Sequence, residues 1–163
     1  MIRNINNNDF YFVYNLYMHP QVNPYLLYEQ MDKAAFEPIF ADLLKQGIIF
    51  IYEEEKVPIG MFKLIPETYR SNHVVYLGGL AIDPNFSGKG AGTAMMQAII
   101  DYAQQNKFLR IVLSVATHNE KAINLYKKMG FIREGILKNY THLKKEQKFI
   151  DEYLMAYLFP LPY

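Results

Sequence analysis

The chain has 163 residues, a formal net charge of +1 and no cysteine. Since domains commonly hold roughly 100–200 residues, we predict a single domain over residues 1–163. The balanced charge argues against nucleic-acid binding, and the lack of cysteine excludes disulfides, thiolate metal sites and a cysteine nucleophile. The four histidines lack metal-ligand spacing, so no metal is expected. Without a signal peptide or a long apolar run, we predict a cytoplasmic protein that does not bind membranes.

The first part of the chain is predicted to contain two helices and a hairpin. Helix starts are indicated by capping side chains, and strands by short apolar runs bounded by polar turns. In chain order these are a strand at residues 2–5, a helix from the Asn8–Asp9 cap to about Met18, a helix from the Asp32 cap to Gly47, and strands at 48–52 and 57–65 around a polar turn at 53–56.

The remainder alternates strands and helices. Its predicted elements are a strand at residues 73–82, a helix that opens after the glycine segment 88–92 and runs to about Asn106, a strand at 111–115, a helix at 117–129, and strands at 131–137 and 149–159. For the 117–129 helix, Thr117 with Glu120 fits a capping box and Asn119 is a rival cap. The mixed order favours an α/β (α+β) fold with a mostly antiparallel sheet of about seven strands and about four helices on both faces.

The glycine segment at residues 88–92 carries the most chemical information. It lies between a predicted strand and a predicted helix, where unpaired N–H groups and the helix dipole favour an anion. Its alternate glycines let an anion approach the backbone, while Thr93 adds a hydroxyl and Lys89 a positive charge. We therefore predict a phosphate or diphosphate cradle, with a loop that only makes a tight turn as the alternative. Neither the P-loop pattern nor the dinucleotide fingerprint fits this spacing.

Two segments together carry a family resemblance. Residues 83–96 read DPNFSGKGAGTAMM, and residues 119–131 read NEKAINLYKKMGF. The first is similar to the coenzyme-A pyrophosphate motif of the GNAT superfamily of N-acetyltransferases, Q/R-x-x-G-x-G/A, and the second to its motif N-x-x-A-x-x-L-Y-x-x-x-G-F. The resemblance covers about residues 74–159, and Ser87 departs from the usual Gln or Arg.

The resemblance implies a GNAT-like sheet that is splayed centrally, with acetyl-CoA as the acyl donor. Pantetheine would lie along the strand before the loop, and Gly78–Gly79 would be the bulge that opens the gap. A bulge that only curves the sheet is the alternative. The implied coenzyme-binding residues are Leu80, Ala81, Ile82, Ser87, Gly88, Lys89, Gly90, Ala91, Gly92, Thr93, Asn119 and Tyr126.

Tyr126 is the implied catalytic residue, as the proton donor to the departing thiolate. It shares the inward helix face of Ala122 and Leu125, so a core tyrosine is the alternative. Asn119 would hold the pantetheine amide, with a plain helix N-cap as the alternative.

On the acceptor side, the resemblance implies Tyr28, Glu29 and Gly79 as substrate-binding residues. The acceptor would be a primary amine: a small molecule, a polyamine, an amino acid or a peptide N-terminus. Acidic residues near the N-terminal helices favour a cationic amine such as a polyamine. We assign no general base, because residues 76–80 hold no carboxylate; Glu53, His73 and Glu29 are only candidates.

The leading hypothesis is direct acetyl transfer through a ternary complex. A non-catalytic coenzyme-A-binding sensor or regulatory module is the alternative, since the strand carboxylate is missing. A nucleotide-phosphate enzyme using the glycine loop ranks third. A homodimer is one assembly that we consider.

Overall fold

Seven strands and four α-helices follow one another in the predicted order in the computed structural model, which describes all 163 residues. The strands are β1 (Ile2–Asn4), β2 (Ile49–Glu54), β3 (Val57–Pro66), β4 (Val74–Ile82), β5 (Arg110–Ala116), β6 (Ile132–Leu143) and β7 (Lys148–Leu158). The helices are α1 (Phe10–Met18), α2 (Lys33–Gln46), α3 (Ala91–Gln105) and α4 (Glu120–Lys128). None of the helices combines the length and apolar character that crossing a bilayer requires.

Helix α2 shows why the capping residues predicted its bounds well. The Asp32 carboxylate accepts a hydrogen bond from the Ala35 N–H at 2.8 Å. At the other end Gly47 adopts the left-handed conformation, with φ +65°, and its N–H donates to the Leu43 carbonyl at 3.2 Å. At least one backbone group is therefore satisfied at each end of the helix.

Helix α4 begins later than predicted. Asn119, the rival cap, accepts a hydrogen bond from the Ala122 N–H at 3.3 Å and is the N-cap. The Thr117 N–H donates instead to the Asp151 carbonyl at 3.0 Å, which ties this residue to β7. The predicted capping box at Thr117 was therefore wrong.

Two strand predictions were too short. Glu53 and Glu54 belong to β2, and the turn is confined to Glu55 and Lys56, which have φ of +50° and +67°. Strand β6 continues to Leu143 because it pairs with β7 as far as Leu143↔Lys148. The polar residues of this segment masked its strand character, since an edge strand can expose polar side chains to water.

The sheet has the order β1-β2-β3-β4-β5-β7-β6. The β1–β2, β2–β3, β5–β7 and β6–β7 pairs are antiparallel, and β4 pairs with β5 in parallel. The parallel ladder runs only from Val74↔Arg110 to Tyr76↔Val112. Three residues further along β4, Gly79 has φ +55°, so the backbone is irregular at the predicted bulge.

The chain divides into two compact units. The first comprises residues 1–65 and 78–98. In its core, α1 and α2 pack against β2 and β3 through Val13, Phe36, Ile51 and Met61. Gly60 is adjacent to Met61 on β3 and therefore faces the opposite side of the sheet. A Cβ at Gly60 would lie 2.8 Å from the sulphur of Met95 on α3. Within this unit the helices therefore cover both faces of the strands.

The second unit comprises residues 66–77 and 99–163. Alternate residues of β5, Ile111 and Leu113 among them, are buried. The Phe131 ring lies 5.8 Å from Tyr126 of α4 and 5.6 Å from Tyr157 of β7. This aromatic contact positions the α4 tyrosine.

Candidate active site

The predicted anion cradle follows directly on β4 in the first unit. The Asp83 carboxylate accepts from the Asn85 N–H at 2.9 Å and turns the chain away from the strand. Gly88 and Gly90 then have φ of +79° and +80°, and a Cβ at either would meet no atom within 4 Å. These two glycines are therefore required by backbone conformation rather than by crowding.

Helix α3 begins immediately after this loop. Its first bond runs from the Ala94 N–H to the Gly90 carbonyl at 3.0 Å. The N–H groups of residues 91–93 precede that bond, so the helix itself offers them no acceptor. They point out of the helix end that carries the positive pole of the dipole, which suits an anion.

Ser87 differs from the other predicted cradle residues. Its N–H donates to the Pro84 carbonyl at 3.2 Å. This main-chain donor is therefore already engaged within the loop.

The strand segment predicted to hold pantetheine is the C-terminal part of β4. Ala81 is buried in the core of the first unit, while Leu80 and Ile82 are half-buried. The Asp83 N–H donates to the Ile59 carbonyl at 2.8 Å, which anchors this end of β4 to β3.

Tyr126 lies in the second unit with only 7% of its surface exposed. Burial raises the pKa of its hydroxyl, and nearby Tyr76 raises it further. The hydroxyl therefore stays protonated throughout the neutral range and is a weaker acid than an exposed tyrosine. Asn119 caps α4, as predicted by the alternative that it is a plain helix N-cap. The capping contact uses its side-chain oxygen.

A polar group in the second unit went unnoticed in the sequence. The Tyr76 hydroxyl lies 3.5 Å from the Ser114 hydroxyl across the β4–β5 pair. Burial raises the pKa of Tyr76, the hydrogen bond with Ser114 lowers it, and Tyr140 and Glu152 raise it. These side chains come from four different strands, so no local motif could have revealed the cluster.

On the acceptor side, Lys63 lies close to two of the three predicted residues, Tyr28 and Gly79. Its Nζ donates to the Tyr28 hydroxyl at 3.4 Å, and its Cγ would lie 3.4 Å from a Cβ at Gly79. Glu29 is exposed and shares none of these contacts. Lys63 was missed because lysines are usually exposed, although it has the same strand parity as the buried Ile59 and Met61.

The general-base candidates do not converge on a site. Glu53 is buried and accepts a hydrogen bond from Arg3 Nε at 3.0 Å. Arg3 also forms two hydrogen bonds with the Asp9 carboxylate, at 2.8 and 2.9 Å. Glu53 is therefore part of a structural ion pair, whereas His73 and Glu29 are exposed.

The fold and the loop together define an α/β protein with an open mixed sheet and a glycine-containing turn at the start of its third helix. The model of the acetyltransferase (GNAT) family matches residues 2–131. The chain belongs to that family.

Named relatives include polyamine acetyltransferases. The chain is 38% identical over 89 residues to the spermine/spermidine N(1)-acetyltransferase of Bacillus subtilis strain 168. The matched segment covers 53% of this chain and 59% of that protein. It is 27% identical over 137 residues to the spermidine N(1)-acetyltransferase of Vibrio cholerae, which covers 83% of this chain and 74% of that protein. The chain thus spans 59% of the length of the curated Bacillus relatives that it matches.

The fold is shared with solved acetyltransferases. The structure of spermidine N-acetyltransferase from Vibrio cholerae in complex with CoA and spermine superposes with a TM-score of 0.83 and 23% identity, over 97% of this chain and 94% of that chain. This likeness establishes the GNAT fold of the chain.

Proposed function

We propose that the protein is an acetyl-CoA-dependent N-acetyltransferase that transfers an acetyl group directly to a primary amine. The observation that carries the proposal is the loop at residues 88–93, where two left-handed glycines lead into the N-terminus of α3. The names of the Bacillus and Vibrio relatives support the same reaction class.

The residues present fit acetyl-CoA. The loop is exposed, no atom crowds Gly88 or Gly90, and the first-turn N–H groups of α3 are oriented for a diphosphate. Lys89 adds a positive charge, and the main chain of Leu80 to Ile82 would hold pantetheine. Bound acetyl-CoA supplies a thioester, whose carbonyl carbon is open to attack by an amine.

Tyr126 would donate a proton to the departing sulphur. Its buried hydroxyl has a raised pKa, so it arrives protonated at neutral pH. Asn119 would contribute its side-chain amide to the pantetheine while its oxygen caps α4. General acid catalysis of this kind contributes on the order of 10²- to 10⁴-fold.

A coenzyme-A-binding sensor or regulatory module is the second candidate. It is favoured by two observations: residues 76–80 carry no carboxylate, and Glu53 is paired with Arg3. Such a module would bind acetyl-CoA without turning it over.

A thiol-release assay distinguishes the two candidates. Acetyl-CoA is incubated with the protein and, in turn, with polyamines, amino acids, aminoglycosides and short peptides, and free thiol is measured. We expect release with at least one amine class. Tight binding of acetyl-CoA without release across the whole panel would favour the module. Light scattering on the same sample tests whether the protein is a homodimer.

A further inference from the structure

Lys63 is a buried lysine without a carboxylate partner. It lies on β3 with 7% of its surface exposed. It takes no part in the ion pairs that Arg3, Arg110 and Lys138 form. Its Nζ has instead the Tyr28 hydroxyl at 3.4 Å.

Two aromatic faces surround the ammonium group. Its Nζ lies 5.1 Å from the ring centroid of Tyr28 and 6.0 Å from that of Tyr17. Ring quadrupoles attract a cation at these distances and so oppose the effect of burial, which lowers the pKa of Lys63. In its protonated form the group has no anion that neutralises it, so it then places a positive potential in this part of the first unit.

Gly79 determines where this potential acts. A Cβ at Gly79 would lie 3.3 Å from the Tyr17 hydroxyl and 3.4 Å from Lys63 Cγ, so the lysine stem occupies space beside a strand position without a side chain. In the proposed function the diphosphate lies at residues 88–93 and pantetheine along residues 80–82. The thioester end then falls next on β4, beside Gly79, where the amino group of the acceptor must arrive.

We propose that Lys63 binds an anionic group of the acceptor, and that the substrate is an amine carrying a carboxylate, such as an α-amino acid, rather than a polyamine. This inference rests on the proposed acetyltransferase function. An ammonium at this position attracts a carboxylate and repels each further positive charge of a polyamine. The proposed substrate class therefore differs from the polyamines in the names of the Bacillus and Vibrio relatives.

Amines that differ only by a carboxylate provide the test. Lysine is compared with cadaverine, ornithine with putrescine, and phenylalanine with phenethylamine, by thiol release from acetyl-CoA. We expect the parent protein to show a kcat/KM higher by on the order of ten-fold or more for the carboxylate-bearing member of the preferred pair. The Lys63→Met variant should bring that ratio close to one, while Lys63→Arg should keep its direction.

Matched variants separate recognition from folding. Lys45→Met removes an exposed lysine of α2 in the same unit and should leave the ratio unchanged. Lys63→Gln replaces Lys63→Met if the latter does not fold, as judged by its melting temperature. A purely structural lysine would change the melting temperature without changing the ratio between paired amines.

Three results would overturn the inference: a preference of the parent for the decarboxylated amines, equal use of both members of each pair, or a carboxylate preference that survives in Lys63→Met. If no amine releases thiol, the proposed function fails, and isothermal titration of the same amine pairs into protein loaded with coenzyme A decides the inference. Tighter binding of the carboxylate member that is lost in Lys63→Met supports it, and equal binding overturns it.

Discussion

The Gly90→Glu substitution should distinguish a loss of anion binding from the effect of backbone strain. Gly90 has φ +80° and Gly47, at the end of α2, has φ +65°, and a Cβ at either would meet no atom within 4 Å. Gly90→Glu and Gly47→Glu therefore impose similar strain, about 1–2 kcal/mol in the left-handed region, without a clash. Only Gly90→Glu places a carboxylate at the proposed diphosphate site.

The magnitude follows from Coulomb's law. Two like charges about 4 Å apart repel by about 1 kcal/mol in water and about 4 kcal/mol at the effective dielectric constant of a protein surface. The affinity for acetyl-CoA should therefore fall by roughly fivefold to a thousandfold in Gly90→Glu. The loss should shrink as salt concentration rises, because screening weakens the repulsion.

Isothermal titration with acetyl-CoA measures the affinities, and urea unfolding measures the strain. We expect both variants to lose similar stability but only Gly90→Glu to lose affinity. Equal affinities in Gly90→Glu, Gly47→Glu and the parent would refute the reasoning and remove the glycine loop from the binding site.

Three further predictions follow from single contacts. Tyr126→Phe should lower kcat by on the order of 10²-fold with little change in acetyl-CoA affinity. Tyr157→Phe is the control, because Tyr157 packs on Phe131 as Tyr126 does. Equal turnover in Tyr126→Phe and the parent would show that Tyr126 is only a core residue. Asp9→Asn should lower the free energy of unfolding at pH 7 by about 1.5–3 kcal/mol. Burial acts to raise the pKa of Asp9, but Arg3 and a backbone N–H lower it overall, so this stabilisation holds above the unfolded pKa of about 3.9 and disappears as pH falls through the lower folded value. Urea titrations at pH 7 and pH 3 test this, and a deficit that persists undiminished at pH 3 would contradict it. Gly60→Ala should destabilise the protein by about 1–3 kcal/mol, because its Cβ would lie 2.8 Å from a backbone oxygen of β4; unchanged urea stability would show that the strands can shift.

The parts of the fold that could be predicted depend on local chemistry. Asp32 and Gly47 satisfy the ends of α2, and a cap needs only its neighbours in the chain. Gly88 and Gly90 were identified for the same reason, because a left-handed backbone favours glycine wherever it occurs.

The remaining errors concern long-range pairing. The polar end of β6 is a strand because β7 lies beside it, and Thr117 precedes the Asn119 cap and is hydrogen-bonded through its N–H to the Asp151 carbonyl of β7. The burial of Lys63 likewise depends on Tyr17 and Tyr28, which precede it by more than thirty positions. No window of local sequence contains these partners.

Lys63 also bears on the missing general base. Residues 76–80 lack a carboxylate, and the glycine at position 79 leaves room for the lysine stem. A carboxylate at this point would accept a proton from the incoming ammonium, whereas an ammonium nearby lowers the pKa of that amine by repulsion. More of the acceptor is then neutral before attack, and its proton leaves to solvent. At saturating acceptor, the Lys63→Met variant should therefore require a higher pH to reach half of its maximal kcat, because kcat reports the pKa of the bound amine. An unchanged pH profile would show that Lys63 has no influence on the acceptor amine.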